Sequence, residues 1–303
     1  MELVSCREQV ALLREQFAVS QRRACELMGV DRSSIRYRAR PRKDEELRQQ
    51  VRELAHQRPR FGYRRLTAVL RRQGRVINPK RVWRICKHER LGVRWKRRRR
   101  LIHTAPPAVR ATRPREEWAL DFVHDWAANG QRLRALTMVD VFSRLCPEME
   151  VATSIGSRRV TRALERAGAK HGYPMRIRTD NGPEFRSRHF HIWCEQRGIE
   201  VVHIEPGKPT QNGNNESFNG RFRDECLNAN WFQNLADARQ KIGEWKEDYN
   251  HFRPHSALGY RTPTEFAAQF EAPAKAAQAQ VPTPNSGAAA MASASNCGFA
   301  VRE

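Results

Sequence analysis

Three carboxylates are set apart by where they sit. Asp121 lies in the middle of an apolar run, "WALDFVHDW". Asp180 ends a second run, "MRIRTD", ahead of Asn181-Gly182-Pro183. Glu216 opens the polar stretch "NNESFNGRFRDECLN". In an extended strand Asp121 points with Ala119 and Val123, away from Leu120 and Phe122. A buried, unpaired acid there is strongly unfavourable, so Asp121 is expected to line a polar site or coordinate a cation. Each acid also has an ordinary reading. Asp121 suits an exposed sheet face, Asp180 an Asx-turn ahead of Gly182, and Glu216 the positive end of a helix.

Their joint arrangement argues for chemistry. If the strands holding Asp121 and Asp180 are central neighbours, the two acids meet, and a following helix can bring Glu216 beside them. Packed carboxylates repel unless a cation neutralises them. Oxygen-only donors favour Mg²⁺ or Mn²⁺ over zinc. Two such ions roughly 3.5–4 Å apart can stabilise the attacking and leaving oxygens of a phosphodiester displacement.

Other groups nearby are assigned supporting parts. Asp140 has Ser143 and Arg144 as partners, and Glu184 suits a salt bridge or a helix cap. Asn181 and Gly182 shape the loop, the glycine through its permissive backbone. His255 is expected to pack near Tyr249 and Leu258, and Trp118, Trp193 and Trp245 to sit in the core.

The elements that must position these acids form one series. "WALDFVHDW" and "RLRALTMVDVF" are strands joined by "AANGQ", a hairpin signal, and "EMEVAT" is a third strand. A helix, a strand at "MRIRT", a helix, a strand at "IEVVHI" and two long helices follow. The fold class is α/β: a ribonuclease-H-like mixed sheet flanked by helices and preceded by an all-α basic region.

That basic region is lopsided in charge. The chain carries +23 overall; residues 1–115 hold 33 Lys and Arg against 10 Asp and Glu, whereas residues 116–303 hold 23 of each. Such an excess suits a polyanion, through phosphate neutralisation and counterion release. No long apolar run accompanies it, so nucleic acid is favoured over a membrane. The expected organisation has five parts. Residues 1–42 form a helix-turn-helix-like segment in which "SQRRACELMGVDRSSIRYRAR" puts Ala24, Leu27 and Met28 inward and Arg32, Ser34 and Arg36 towards DNA. Residues 43–100 form a basic helical region ending in Arg97, Arg98 and Arg99. Residues 101–115 are a Pro-containing linker, 116–271 the catalytic core, and 272–303 a disordered tail with 11 alanines in 32 residues. Seven scattered cysteines, none spaced C-x-x-C, fit reduced cytosolic thiols, so a cytoplasmic protein is expected, associated with the nucleoid through its DNA binding.

Asp121 in "WALDFV", Asp180 in "TDNGPEF" and Glu216 in "NNESFNGRFRDECLN" resemble the acidic triad of DDE transposases and retroviral-type integrases. Thirty-five residues lie between Asp180 and Glu216, the spacing typical of that group. "DVFSR", "EPGKPTQNG" and "YNHFRPHSALGYRTPTEF" resemble it too, and together they look like the second-frame catalytic protein of bacterial two-frame insertion sequences. The resemblance runs from about residue 20 to 270. It implies metal-dependent cleavage at element ends and transfer of the 3′ hydroxyl into target DNA, with Asp121, Asp180 and Glu216 as catalytic metal ligands. Arg223 is implied at a DNA phosphate, and Lys208 is placed with the DNA contacts. Terminal inverted repeats, target DNA, a homo-oligomer on DNA and a first-frame partner or frameshifted fusion are implied as partners. Two departures stand out: no His-His-Cys-Cys zinc module precedes the core, and Asn215 occupies the usually aliphatic position before Glu216. The alternative is a catalytically impaired relic or regulator that binds the element ends.

Overall fold

The computed structural model describes residues 3–37, 44–93, 111–204 and 213–270. The chain divides into two compact units, Met1–Glu53 and Leu54–Glu303. Within the first, α1 (Leu3–Phe17), α2 (Gln21–Leu27) and α3 (Arg32–Arg36) enclose a small core of Val10, Ala24 and Cys25. Ser20 caps α2 by accepting from the Arg23 N–H, and Gly29 takes φ +62° in the turn before α3. Leu27 differs from its expected inward place. It is exposed, and Cys25 fills the core instead, because α2 ends at Leu27 and its short inward face is completed by residues 24 and 25.

Helix α4 (Glu45–Gln57) leads into a packed pair, α5 (Tyr63–Arg72) and α6 (Pro79–His88). Asn78 caps α6 by accepting from the Lys80 N–H, with Pro79 at the first helical position. Leu66, Leu70, Val82, Ile85 and Cys86 are buried in this pair.

The core is a five-stranded sheet of β1 (Glu117–Trp126), β2 (Arg132–Asp140), β3 (Met149–Ala152), β4 (Arg176–Thr179) and β5 (Glu200–His203), in the order β3-β2-β1-β4-β5. β1 pairs antiparallel with β2 and parallel with β4, so the two strands expected to carry Asp121 and Asp180 are central neighbours. The hairpin turn is closed by Ala127 N–H to Gln131 O at 2.9 Å, with Gly130 at φ +77°. It is therefore a three-residue loop rather than a two-residue one.

Two apolar clusters cover the sheet. On one face α7 (Ser157–His171) and α8 (Arg188–Glu195) pack over Trp118, Leu120, Leu136 and Ile177. On the other, α9 (Gly213–Glu225) and α10 (Leu235–His251) pack over Ala119, Val123, Ala135 and Val151. Alternation along β1 thus sends Asp121 to the α9 face, as the strand pattern requires. A further helix runs over 263–270. Trp118, Trp193 and Trp245 are buried.

Candidate active site

Asp121 sits at the middle of β1, opposite Thr137 on β2. Continuing the parallel register beyond Ala119↔Arg178 brings Asp121 level with Asp180, the first residue past β4. Adjacent strands lie about 4.8 Å apart, so the two acids are backbone neighbours at the carboxyl end of β4. The β1–β4 pairing is reinforced by Glu117, 3% exposed, which accepts from Arg176 Nε at 2.8 Å and Arg178 at 3.0 Å.

Glu216 arrives on the first turn of α9. That helix is anchored by Phe218 and Phe222, both buried, whose rings lie 5.7 and 5.0 Å from Trp245. Residues 216, 219 and 223 recur at three- and four-residue spacing, so Glu216, Asn219 and Arg223 lie along a common strip of the helix.

Asn219 is a member of the site that the sequence reading did not single out. Its Nδ2 donates to Asp121 Oδ2 at 2.9 Å, and its Oδ1 accepts from the Thr137 hydroxyl at 2.9 Å. The hydroxyl also stands 3.1 Å from the Asp121 carbonyl oxygen. The amide therefore fixes one oxygen of Asp121, while Oδ1 accepts from the Phe122 N–H at 2.8 Å. Its position three residues after Glu216, facing the sheet, is the signal that could have found it.

Burial pushes the Asp121 carboxyl above the ordinary aspartate range. The Phe122 and Asn219 hydrogen bonds oppose that shift, and the negative charges of Asp180 and Glu216 add to it. Both other acids thus act on Asp121 electrostatically. Among the described residues, no three His, Cys, Asp or Glu side chains stand at mutual metal-ligating distance. The donor set, three carboxylates with no thiol or imidazole, matches a hard divalent cation.

Asp180 also shapes its own turn: Oδ1 accepts from the Gly182 N–H at 3.2 Å. Asn181 Nδ2 donates to Ile204 O at 2.9 Å, tying the loop to the end of β5. The need for Gly182 differs from expectation. Its φ is not left-handed; a Cβ there would meet Asp180 Oδ1 at 3.1 Å and Glu184 Oε2 at 3.3 Å. The pressure for a small residue here comes from the carboxylates beside it, not from backbone freedom.

Asp140 is 2% exposed and lies towards the opposite end of β1, paired with Trp118. It accepts from the N–H groups of Arg115, Phe142 and Ser143 and from the Ser143 hydroxyl, so its part is structural. Glu184 bonds Arg134 at 2.5 Å; burial alone would raise its carboxyl, but that bond and the guanidinium charge hold it below the usual range. His255 is 4% exposed and meets the Tyr249 ring edge-on at 4.7 Å.

The sequence-predicted DNA contacts fall in several places. Arg223 is exposed, with its guanidinium 3.4 Å from the His124 carbonyl oxygen on β1. Arg32 and Arg36 are exposed on α3, and Arg36 Nε donates to Gln21 at 3.2 Å. Ser34 is half-buried, its carbonyl accepting from Arg7 at 3.0 Å. Arg97, Arg98, Arg99 and Lys208, with linker residues 101–110 and the tail beyond residue 270, lie outside the described residues. The six described cysteines are free and buried. Among the described residues no helix is long and apolar enough to cross a membrane.

Comparison with known proteins matches the description "Integrase core domain" over residues 111–209 and, by a second model of the same description, over 197–263. An "HTH-like domain" matches residues 41–99. The 31.7 kDa protein of insertion element IS407 from Burkholderia multivorans is 46% identical over 270 residues, covering 88% of this chain and 97% of that protein. The 39.2 kDa protein of insertion element IS476 from Xanthomonas euvesicatoria is 42% identical over 266 residues, covering 87% and 77%. The putative transposase InsK of insertion sequence IS150 from Escherichia coli is 29% identical over 249 residues, covering 78% and 87%. With a ribonuclease-H-like strand order and these relatives, the chain belongs to the DDE-type insertion-sequence transposases, DNA polynucleotidyl transferases built on an integrase core.

Proposed function

We propose that Asp121, Asp180 and Glu216 are the catalytic carboxylates of this transposase and that together they hold Mg²⁺ or Mn²⁺, as two ions. The observation that carries the reading is the shared electrostatic environment: Asp121 feels both Asp180 and Glu216, although they come from β1, the β4 loop and α9. When bound, divalent cations supply Lewis-acid stabilisation of the oxygens that gain negative charge. The chain's own residues do the rest. Asn219 fixes one oxygen of Asp121 so that the carboxylate presents a single orientation. Arg223, at the far end of the same strip, holds a DNA phosphate.

In the first step a water oxygen attacks phosphorus at the element end. The bond to the 3′ oxygen breaks, leaving a 3′ hydroxyl and a 5′ phosphate. In the second, that 3′ hydroxyl oxygen attacks a target phosphodiester and displaces its 3′ oxygen. No side-chain nucleophile enters either step. Residues 1–42 and 43–100 grip the terminal inverted repeats, with Arg32, Ser34, Arg36, Arg97, Arg98 and Arg99 among the contacts and Lys208 contributing from the core. The protein works as a homo-oligomer pairing two ends, with a first-frame partner or fusion adding end recognition, in the bacterial cytoplasm at the nucleoid.

The test is strand transfer with labelled oligonucleotides carrying the element's own ends, in Mg²⁺ or Mn²⁺. Joined product from the wild type and none from Glu216→Gln is the expected result. Tight end binding with no cleavage by either protein would sink the assignment and favour the relic.

A further inference from the structure

A cleft of about 660 Å³ lies between the α5–α6 pair and the turn at residues 256–260, remote in sequence from the three carboxylates. Its size falls in the roughly 300–1,000 Å³ range of small-ligand sites. Three aromatic residues line it: Tyr63 at the start of α5, Trp83 on α6 and Tyr260 in the turn. Trp83 is 45% exposed, so its ring is open to a ligand. Cations are interleaved with these rings. Lys87 Nζ lies 5.6 Å from the Trp83 ring centroid, and the Arg64 guanidinium lies 5.7 Å from that of Tyr63. Arg90 lines the cleft as well, and among the described residues no carboxylate does. A second cavity of about 600 Å³ shares Tyr63, Arg64 and Tyr260; Glu265, bonded to Arg72, lines it beside Arg71 and Arg261, so cations outnumber the carboxylate there too.

The backbone adds an independent observation. Arg90 has φ +54° and Tyr260 φ +64°, both in the left-handed region that disfavours residues with a Cβ. Arg90 closes α6 in a position where glycine is ordinary, with the Leu91 N–H bonded to Cys86 O at 2.9 Å. Two of the five described non-glycine residues with positive φ therefore line this one cleft. Strained residues of this kind concentrate where a side chain must be held for a ligand.

We propose that this cleft binds an unpaired stretch of DNA strand, with a base stacked on Trp83 and its flanking phosphates held by Arg64, Lys87 and Arg90. Alternating aromatic faces and cations form the recognition chemistry of single-stranded nucleic acid, whereas duplex backbone contacts need the cations alone. The proposal rests on the protein's action on DNA but not on its triad. Strand cleavage at an element end leaves a strand free to peel from its complement, and the cleft would take that strand or its counterpart at the target.

The experiment uses the full chain carrying Glu216→Gln, so that no substrate is consumed. The probes are a blunt duplex and the same duplex with a single-stranded tail containing 2-aminopurine. Tighter binding of the tailed duplex, with quenching of the tail fluorophore, is expected. Trp83→Ala should weaken tailed binding roughly tenfold while leaving blunt binding within about twofold, and Trp83→Phe should recover most of the loss. Arg90→Gly supplies a variant free of folding ambiguity. It relaxes the left-handed backbone, so its melting temperature should hold or rise while tailed binding falls severalfold. Equal loss on blunt and tailed duplexes, or no loss on either, overturns the proposal. Placing the tail on an element-end or an unrelated duplex then distinguishes donor from target strand.

Discussion

Helix α9 carries two glutamates with opposite surroundings. At its first turn Glu216 is exposed, and its neighbour Asn215 is buried with neither side-chain Oδ1 nor Nδ2 hydrogen-bonded among the described residues. At its last turn Glu225 is almost enclosed. It accepts from Arg253 Nε at 2.6 Å and a second Arg253 nitrogen at 2.5 Å, and from Arg65 at 3.2 Å. Arg253 itself is 1% exposed. One end of the helix is saturated with partners, and the other retains unmet polar capacity beside the carboxylates. The difference shows that an acid's type says little about its task. A fully paired glutamate is an anchor, and an unpaired one beside other acids is available to a ligand.

The anchored end should respond most strongly to mutation. Arg253→Met removes the deepest cation and leaves Glu225 with Arg65 alone. Breaking a buried pair on one side is expected to lower stability by about 3–5 kcal/mol, measured by denaturant unfolding. Adding Glu225→Leu together with Arg65→Met should return much of that loss, since the whole charged cluster is then replaced by apolar side chains. If the triple variant is no better than the single, the anchor reading of Glu225 fails.

His255 tests the same end through pH. Burial, and next the charge of Arg253, pull its imidazole down to about 2, so the folded protein holds it neutral. The unfolded chain protonates it near pH 6.5, so between those values the unfolded state binds more protons and stability rises with pH. Its contribution is complete above pH 6.5 and diminishes below it, by about 1.4 kcal/mol per unit from this group alone. Acidification from pH 6.5 to 5 should therefore remove about 2 kcal/mol. His255→Gln should flatten this slope in unfolding curves taken across that window; an unchanged slope would assign the acid sensitivity elsewhere.

The contrast between the two ends explains what could be read from the sequence. The strands along the chain and the face of β1 that Asp121 shares with Ala119 and Val123 follow from local periodicity, and the sheet at residues 117–203 bears them out. The β1–β4 pairing that sets Asp121 level with Asp180 joins residues 59 positions apart, so local pattern gives it only as a condition. The Glu225 anchor joins residues 28 and 160 positions apart, and no local pattern announces such a pair. The basic charge of residues 54–93 was similarly ambiguous. Arg60 bonds Asp224 at 3.4 Å and Arg72 bonds Glu265 at 2.6 Å, so part of that charge docks helices onto the core rather than facing DNA. Gly182 was legible as a loop glycine, but the tight space around it was not, because the crowding atoms belong to side chains placed by tertiary structure. Asn219 escaped because its partner Thr137 lies on a strand 82 residues away.

The open end yields the smallest and most diagnostic effect. A buried amide with no partners loses its hydration without compensation, a penalty of about 1–3 kcal/mol. Leucine is close to asparagine in shape and has no such penalty, so Asn215→Leu should stabilise the fold by about 1–2 kcal/mol. The gain would be seen as a higher melting temperature. Glu216 should keep its place, because the turn that carries it is anchored by Phe218 and Phe222 on the adjoining face. A rise in melting temperature with strand transfer retained would mark Asn215 as a tolerated polar residue at a usually aliphatic position. A rise accompanied by loss of strand transfer would instead mark the buried amide as a functional member of the site, its instability retained because the reaction needs the group. A fall in melting temperature would mean that Asn215 has partners in the folded protein, and the contrast between the two ends of α9 would have to be abandoned.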